Sequence, residues 1–445
     1  MTGSDGLFGD LPDQAPARAA PVGRVRLRVP VRDTVRLEVL DLHALIGPDH
    51  PARAIWAYAE QVDFAAFEAR VKARVGHPGQ AQTAPQLLLA LWLYAIGDGV
   101  GSAREIARLC ASAPAYRWLC GGVSVNHHAL SDFRTDETLC LDDLLARHVA
   151  SLSAAGLIDL DEIAQDGVKV RADAGAASFR RRPTLERELD KAREALARLD
   201  RDEAEDPGAT GRRRAARQAS AARDRLARVE QALAALAEVE AIRAKRTQTN
   251  AKASAKQKEP RASTTDPQAR VMKMPDGGFR PAYNVQFASL PGTGIVVGVR
   301  VGTVGSDRGL AEPMAAGLAA TYGRRPARDL IDGGFQAADD IEAAHAGGTA
   351  VYCPPGRGKA GSDPHRIRPG DGPGVAAWRS RMAGEPAKAI YRRRGRCELV
   401  HARLRNLGLD RPLARGLRKL AHWMTGFALA MNILTEHRLR RAALA

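Results

Sequence analysis

Cysteine is sparse and poorly spaced for chemistry. The 445-residue chain has five, at Cys110, Cys120, Cys140, Cys353 and Cys397. That odd number, with no C-x2-C pair, excludes a disulfide scaffold and a zinc ribbon and points to a reducing compartment. Long apolar runs are also missing. The longest, Leu87 to Ile96, is about half of what a membrane span requires, so no membrane partner is expected. The opening segment MTGSDGLFGD is acidic and lacks an apolar stretch, which argues against a signal peptide. Lysine is scarce, with 11 against 56 arginines, and negative charge falls short, with 51 Asp+Glu against 67 Lys+Arg. Hydrophobic residues make up 45%, enough for a sizeable core and too many for wholesale disorder. The length suggests about three domains. The chain reads as a soluble, cytoplasmic, basic protein, and a formal net charge of +16 puts nucleic acid first among its expected partners.

The excess charge is clustered. Residues 53–150 hold nine basic and ten acidic side chains, residues 243–281 ten and three, and residues 378–445 sixteen and four. A GC-rich coding bias would raise arginine everywhere, which the neutral N-terminal third argues against. Clustering favours a phosphate-binding surface.

Residues 1–40 are rich in Pro, Gly and Arg and read as a flexible arm. Residues 41–150 read as an all-α domain of DNA-binding type. Pro85 opens an apolar helix (QLLLALWLYAI) that ends at Gly97-Asp98-Gly99. Ser102 and Glu105 have the spacing of a capping box for a second helix, and a polar third helix starts near Ser124 to His127. This arrangement is compatible with a helix-turn-helix, a pattern that small helical bundles share. His127 and His128 are adjacent, so they face different sides of a helix and suit surface or cap roles better than metal ligation.

From about residue 162 the period changes. EIAQDGVKVRAD, YNVQFAS, GIVVGVRVG, RDLIDGGF and TAVYC read as five strands. Helices follow the third and fourth, and two more close the chain, from Pro386 to Leu407 and from Leu413 to Arg440. A long interruption, 175–282, follows the first strand. Within it Leu185, Leu189, Ala192, Leu196 and Leu199 step by four, three, four and three, and Leu226, Val229, Leu233 and Leu236 by three, four and three. Pro207-Gly208 lies between the two arms, which predicts an antiparallel helical hairpin followed by a basic linker.

Three acids stand out on this order. Asp166 lies within the first strand among apolar neighbours, Asp332 ends the fourth, and Glu398 is on the helix after the fifth. A carboxylate inside an apolar strand is costly unless it is paired or binds a metal. Strand-end carboxylates beside a helix-borne one can converge on two hard cations such as Mg²⁺, which serve phosphodiester chemistry. The layout is that of the ribonuclease H-like fold, a mixed five-stranded sheet flanked by helices. The late helix reads AIYRRRGRCELVHARLRN, in which Tyr391, Arg394 and Glu398 form Y-x2-R-x3-E on one helical face and Arg405 follows two turns on. Thr265-Asp266-Pro267 suits a turn better than a fourth acid near the metals. Asp307 reads as a helix cap, and Cys397 as packing.

On these residues the chain resembles the DDE transposases of bacterial insertion sequences, specifically the eleven-eighty-two group. The resemblance runs through PQLLLALWLYAIGDGVGSAREIARLC, AYRWLCGG, HHALSDFR, DGVKVRADAG, TTDPQARVMKMPDGGFRPAYNVQ, LIDGGF and the Y-x2-R-x3-E helix. It implies a catalytic domain over 155–174 and 283–445, with Asp166, Asp332 and Glu398 as the metal-binding triad for two Mg²⁺, Mn²⁺ being able to substitute. Tyr391 and Arg394 would lie near the scissile phosphate, with Arg392, Arg396 and Arg405 as further DNA contacts. The family signature has Lys at the last of these positions, and Arg keeps the charge while changing the donor geometry. The helical domain would help recognise terminal inverted repeats. The partners would be duplex DNA, both element ends and target, bound by a homo-oligomer at the nucleoid. Two rival readings are a DNA-binding protein, inactive or domesticated, that needs no intact triad, and a coiled-coil scaffold, which explains neither Asp166 nor Asp332.

Overall fold

A computed structural model describes residues 40–71, 73, 81–136, 139–205, 209–249, 259–356, 363–407 and 412–444. The expected arm, 1–40, lies almost wholly outside them, as do Pro207-Gly208 and much of the basic linker. No helix among the described residues is long and apolar enough to cross a membrane.

The first part is helical: α1 (Pro51–Glu60), α2 (Ala65–Glu68), α3 (Pro85–Gly97), α4 (Ala103–Ser112), α5 (Pro114–Cys120), α6 (His127–Thr135) and α7 (Leu141–Ala154). α3 is apolar all round and is therefore buried on nearly every side. Its one indole, Trp92, donates Nε1–H to the Leu130 carbonyl at 2.9 Å. The expected capping box does not form. Ser102 precedes α4 without a side-chain cap, because Glu105 turns instead to Arg108 one turn on. Asn126 does cap α6, its Oδ1 accepting from His128 N at 2.9 Å.

The sheet is built from β1 (Glu162–Arg171), β4 (Arg270–Lys273), β5 (Phe279–Ser289), β6 (Val296–Gly302), β7 (Arg328–Leu330) and β8 (Ala350–Tyr352). β1 runs antiparallel to β5 on one side and parallel to β7 on the other, and β7 is parallel to β8. β6 and β4 share the remaining edge of β5, pairing with residues 284–289 and 279–282 respectively. The five-stranded expectation is therefore corrected to six strands. The extra strand arises because Asp276-Gly277 turns the chain back tightly: Gly277 adopts φ +80° and Met274 N donates to Gly278 O at 2.7 Å. This hairpin lies inside the stretch first read as insertion.

The inserted helices are α8 (Arg182–Glu205) and α9 (Ala209–Thr249), rooted on a two-strand ladder of β2 (Phe179–Arg180) and β3 (Ala262–Ser263). Arg182 pairs with Glu240 at 2.5 Å and Arg193 with Glu230 at 3.7 Å. As one number rises the other falls, so the arms are antiparallel. Leu185, Ala192, Val229 and Leu236 are buried between them, as the heptad spacing requires.

The C-terminal half adds α10 (Ala311–Tyr322), α11 (Ala338–Ala346), α12 (Pro373–Ala383), α13 (Glu385–Arg392), a 3₁₀ turn (Arg393–Cys397), α14 (Glu398–Asn406) and α15 (Leu417–Leu444). The expected continuous helix from Pro386 to Leu407 is thus broken into three pieces. Gly395, a poor helix former, sits at the break. The last helix starts later than expected, after Gly416, whose φ of +85° a side chain would strain. α15 packs on α3, α7 and β6, and its Asn432 brackets Val296, accepting from its N–H at 2.8 Å and donating to its carbonyl at 2.7 Å. A side chain thereby takes the place of a neighbouring strand at the β6 edge. One apolar core consequently runs from α3 through α15 to β5 and β6, and a second lies around β7, β8 and α12.

Candidate active site

Alternation along β1 turns Asp166 toward α14, while Gly167 and Lys169 face the opposite side. β7 is parallel to β1 with Ala164 opposite Leu330, so Asp332, just past the end of β7, comes level with Asp166. Asp332 is held by its own turn, its carboxylate accepting from Gly334 N. Glu398 is the first residue of α14. The three expected acids therefore meet, and at their centre stands Arg394. Its Nη2 lies 3.0 Å from Asp166 Oδ2 and 3.7 Å from Asp332 Oδ2, and its Nη1 4.0 Å from Glu398 Oε1. Exposure rises outward, from 13% for the Arg394 side chain and 19% for Asp166 to 49% for Asp332 and 69% for Glu398. The site is a funnel with its charge pair at the base.

Burial works against the Arg394 charge, but Asp166 together with Cys397, Tyr391 and Asp332 outweighs it and raises the pKa. Its Nε is buried with no hydrogen-bond partner among the described residues. Cys397 lies under the site, Sγ 3.9 Å from Asp166 Oδ2, and burial with that carboxylate pushes its thiol up to about 12. It is a neutral packing group, as expected. Tyr391 is half-buried against the second core, and burial raises its phenol.

The remaining expected contacts spread around the funnel rather than joining it. Arg405 is exposed, and among the described residues its Nε reaches the His401 carbonyl alone, at 3.4 Å. Arg392 faces Glu385 at 3.6 Å. Arg396 lies over the Pro291 and Gly292 carbonyls at 3.4 and 3.2 Å.

His401 is a site neighbour that sequence reasoning missed. Its Nδ1 is 3.7 Å from Asp166 Oδ2, its Nε2 is buried without a partner, and burial lowers its pKa despite that carboxylate. The signal was its place one turn after Glu398 on the same face. Asp307 is a correction. It does not cap α10, a role taken by Asp340, whose carboxylate accepts from Ala311 and Glu312 N. Asp307 instead accepts from Lys169 at 3.0 Å and from Asn284 and Gln286 at 2.7 Å each, on the reverse face of the sheet. Gly167 lies under this knot; a Cβ there would stand 2.5 Å from Asp307 Oδ1. Asp266 is more than a turn-former. It is buried and accepts from the Tyr283 hydroxyl at 2.6 Å. Tyr283 pairs with Val170, four residues along β1 from Asp166, which sets Asp266 apart from the three acids.

Among the described residues no three His, Cys, Asp or Glu side chains are arranged to hold a metal as they stand. The donor set is nonetheless suited to one. Three carboxylates already surround a cationic group, and oxygen ligands of this kind suit a hard divalent cation.

Two family models match the chain: the Transposase domain (DUF772) over residues 40–136 and the Transposase DDE domain over residues 242–433. No curated protein and no solved structure matches. The second match contains Asp332 and Glu398; Asp166 lies between the two. Together they cover well over half of the chain, and both describe transposases. The chain belongs to the DDE transposases of insertion sequences.

Proposed function

We propose that this transposase cuts DNA at the ends of its element and joins the freed 3′-hydroxyl to target DNA by metal-dependent phosphoryl transfer. The observation that carries the reading is the meeting of Asp166, Asp332 and Glu398 around a single guanidinium. The strand order β6-β5-β1-β7-β8, three antiparallel strands and then two parallel ones, supports a ribonuclease H-like catalytic domain. In this reading 155–174 and 283–445 form that domain, preceded by the helical domain of 41–150 and interrupted by the insertion of 175–282. The hairpin of 270–282 then belongs with the sheet.

Asp166, Asp332 and Glu398 would hold two Mg²⁺ ions, with Mn²⁺ as a substitute. When bound, such ions activate the attacking water or 3′-hydroxyl and stabilise the leaving oxygen. Arg394, paired here with the carboxylates, would then offer its guanidinium to the phosphate, a planar fork suited to that oxyanion. Tyr391 positions the DNA at the cleaved step. Arg392, Arg396 and Arg405 contact neighbouring phosphates, and their exposure at the rim leaves them accessible to DNA. The helical domain contributes to recognition of the terminal repeats. Cutting and joining both ends together calls for a homo-oligomer on DNA.

The test is cleavage of a labelled element end in Mg²⁺. Asp332→Ala should lose at least about a thousandfold in rate while binding the same duplex in EDTA. An alanine variant that cuts as fast as wild type would remove Asp332 from the site.

A further inference from the structure

The motif HHALSDFR ends on Arg134, a residue the catalytic reading does not use. Its guanidinium lies 4.9 Å from the ring centre of Trp92 and 5.4 Å from that of Trp423. It donates to the Gly101 carbonyl at 3.3 Å and has no carboxylate partner among the described residues. The side chain is half-buried, between two indole faces and a carbonyl, and burial lowers its pKa. Its charge thus has no counter-ion among the described residues, a lack that an anion from outside would make good.

Arg134 lines a cavity of about 440 Å³ together with Arg415, Arg418, Lys419, His422 and Trp423. Arg134 to Asp136 end the stretch matched as the Transposase domain, Leu139 to Asp142 and Asp173 fall in neither match, and the lining residues from Leu413 to Trp423 belong to the Transposase DDE domain, so the cavity lies on a seam between the matched stretches. Its acids are engaged: Asp136 with Arg70 at 2.6 Å, Asp142 with the Thr425 hydroxyl at 2.8 Å, and Asp173 with Arg415 at 2.9 Å. Lys419 is exposed and has no carboxylate partner among the described residues. Arg418 and Lys419 of the first turn of α15, the positive end of a 28-residue helix, line the cavity, while the Leu417 N–H is taken by Gln268 Oε1 at 2.7 Å; anions are favoured at such a turn. Trp423 is about 95% buried, and its indole Nε1 has no hydrogen-bond partner among the described residues.

We propose that this cavity holds a backbone phosphate of duplex DNA, with Arg134, Lys419 and the N-terminus of α15 supplying the positive charge. The inference rests on the transposase reading. Asp173, on the cavity wall, follows the end of β1, so the cavity is displaced from Asp166 by roughly 16 Å or more along that strand. It is a second anchoring point, separate from the funnel around Arg394. A strand seated there touches both domains at once, which ties the grip on the element end to the position of the catalytic acids.

The test is fluorescence anisotropy of a fluorescein-labelled duplex carrying the element end, in EDTA across a salt series. It uses the full chain as wild type, Lys419→Gln, Arg134→Gln, the double variant and a Lys191→Gln control on the inserted α8, with Mg²⁺-dependent end cleavage by wild type run alongside. Each lost phosphate contact should lower the slope of log K against log salt by about one. Lys419→Gln is thus expected to lose about one and the double variant about two, while the control keeps the wild-type slope. Lys419 is exposed, so its variant remains decisive even if Arg134→Gln unfolds. A wild-type slope in Lys419→Gln overturns the proposal. If wild type still cleaves, the transposase reading survives that result; if it neither binds nor cleaves, both fall. Thermal stabilisation of wild type by inorganic phosphate, with unchanged DNA slopes, would assign the cavity to a free anion and also overturn the proposal.

Discussion

Replacing Arg394 by glutamine asks whether the carboxylates around it form a cation site. The 3.0 Å contact with Asp166 joins two largely buried groups, and a hydrogen bond between charged partners is worth about 1.5–3 kcal/mol. The contacts with Asp332 and Glu398 are longer and reach exposed groups, where screening leaves about 0–1 kcal/mol. Glutamine retains much of the volume and one donor but removes the charge, so three carboxylates lose their common counter-ion. A loss of about 2–3 kcal/mol is expected in EDTA. A divalent ion then meets no competitor. At a hundred times its Kd a ligand stabilises the folded state by about 2.7 kcal/mol, enough to return most of the deficit. Wild type should gain less from the same ion, because the guanidinium must first leave. The assay is the thermal midpoint of both proteins in EDTA and in saturating Mg²⁺, compared as differences because a chain of this size need not melt in one step. A deficit of equal size with and without Mg²⁺ would refute the reasoning, since the acids would then be structural partners of Arg394 and nothing more.

Two further outcomes follow from groups outside the funnel. Gly167→Ala should lower stability by about 1–3 kcal/mol, because its Cβ would crowd Asp307 and, more closely still, Gln286; an unchanged thermal midpoint would show that the polar knot yields freely. Asp329 is buried on β7 with neither carboxylate oxygen partnered, and burial, then Asp340 and Glu312, raise its pKa well above the usual carboxylate range. A raised folded pKa means that the folded state holds the proton more tightly, so this contribution is complete below the unfolded value and is lost as pH rises through the folded one. Asp329→Asn should therefore be more stable than wild type in alkaline buffer, with the gain shrinking toward pH ~4. Melting curves across that range check it, and a gain that grows on acidification would contradict the assignment.

The acids were legible because each breaks a local pattern. Asp166 interrupts an apolar alternation, Asp332 closes a strand before two glycines, and Glu398 shares helical spacing with Arg394. Spacing tells which residues share a face but not what lies between faces, so the position of Arg394 among all three carboxylates had to come from the sheet register. Asp307 shows the opposite failure. Its local setting suits a helix cap, but Lys169, Asn284 and Gln286, distant in sequence, offer a charged donor and two amides, and the tertiary network wins over the local bond. The strand Arg270–Lys273 was hidden by its surroundings. It is only four residues long and lies in a basic stretch that drew attention to charge, although Asp276-Gly277 is a hairpin signal.

The charge count itself changes meaning once partners are visible. Residues 378–445 carry most of the formal excess, yet several of their cations are committed within the fold: Arg379 to Asp371, Arg393 to Glu162, Arg415 to Asp173 and Arg441 to Asp49. Those pairs neutralise acids from other segments, so they lend little to a field that draws in DNA. Arg396, Arg405 and Lys419 have no carboxylate partner among the described residues, and neither does Arg134 from the helical part. Two of these lie near the funnel and two at the seam cavity. Since counter-ion release counts phosphates neutralised rather than arginines present, the salt dependence of binding should follow these four with Arg392 and Arg394 and fall well short of the sequence total.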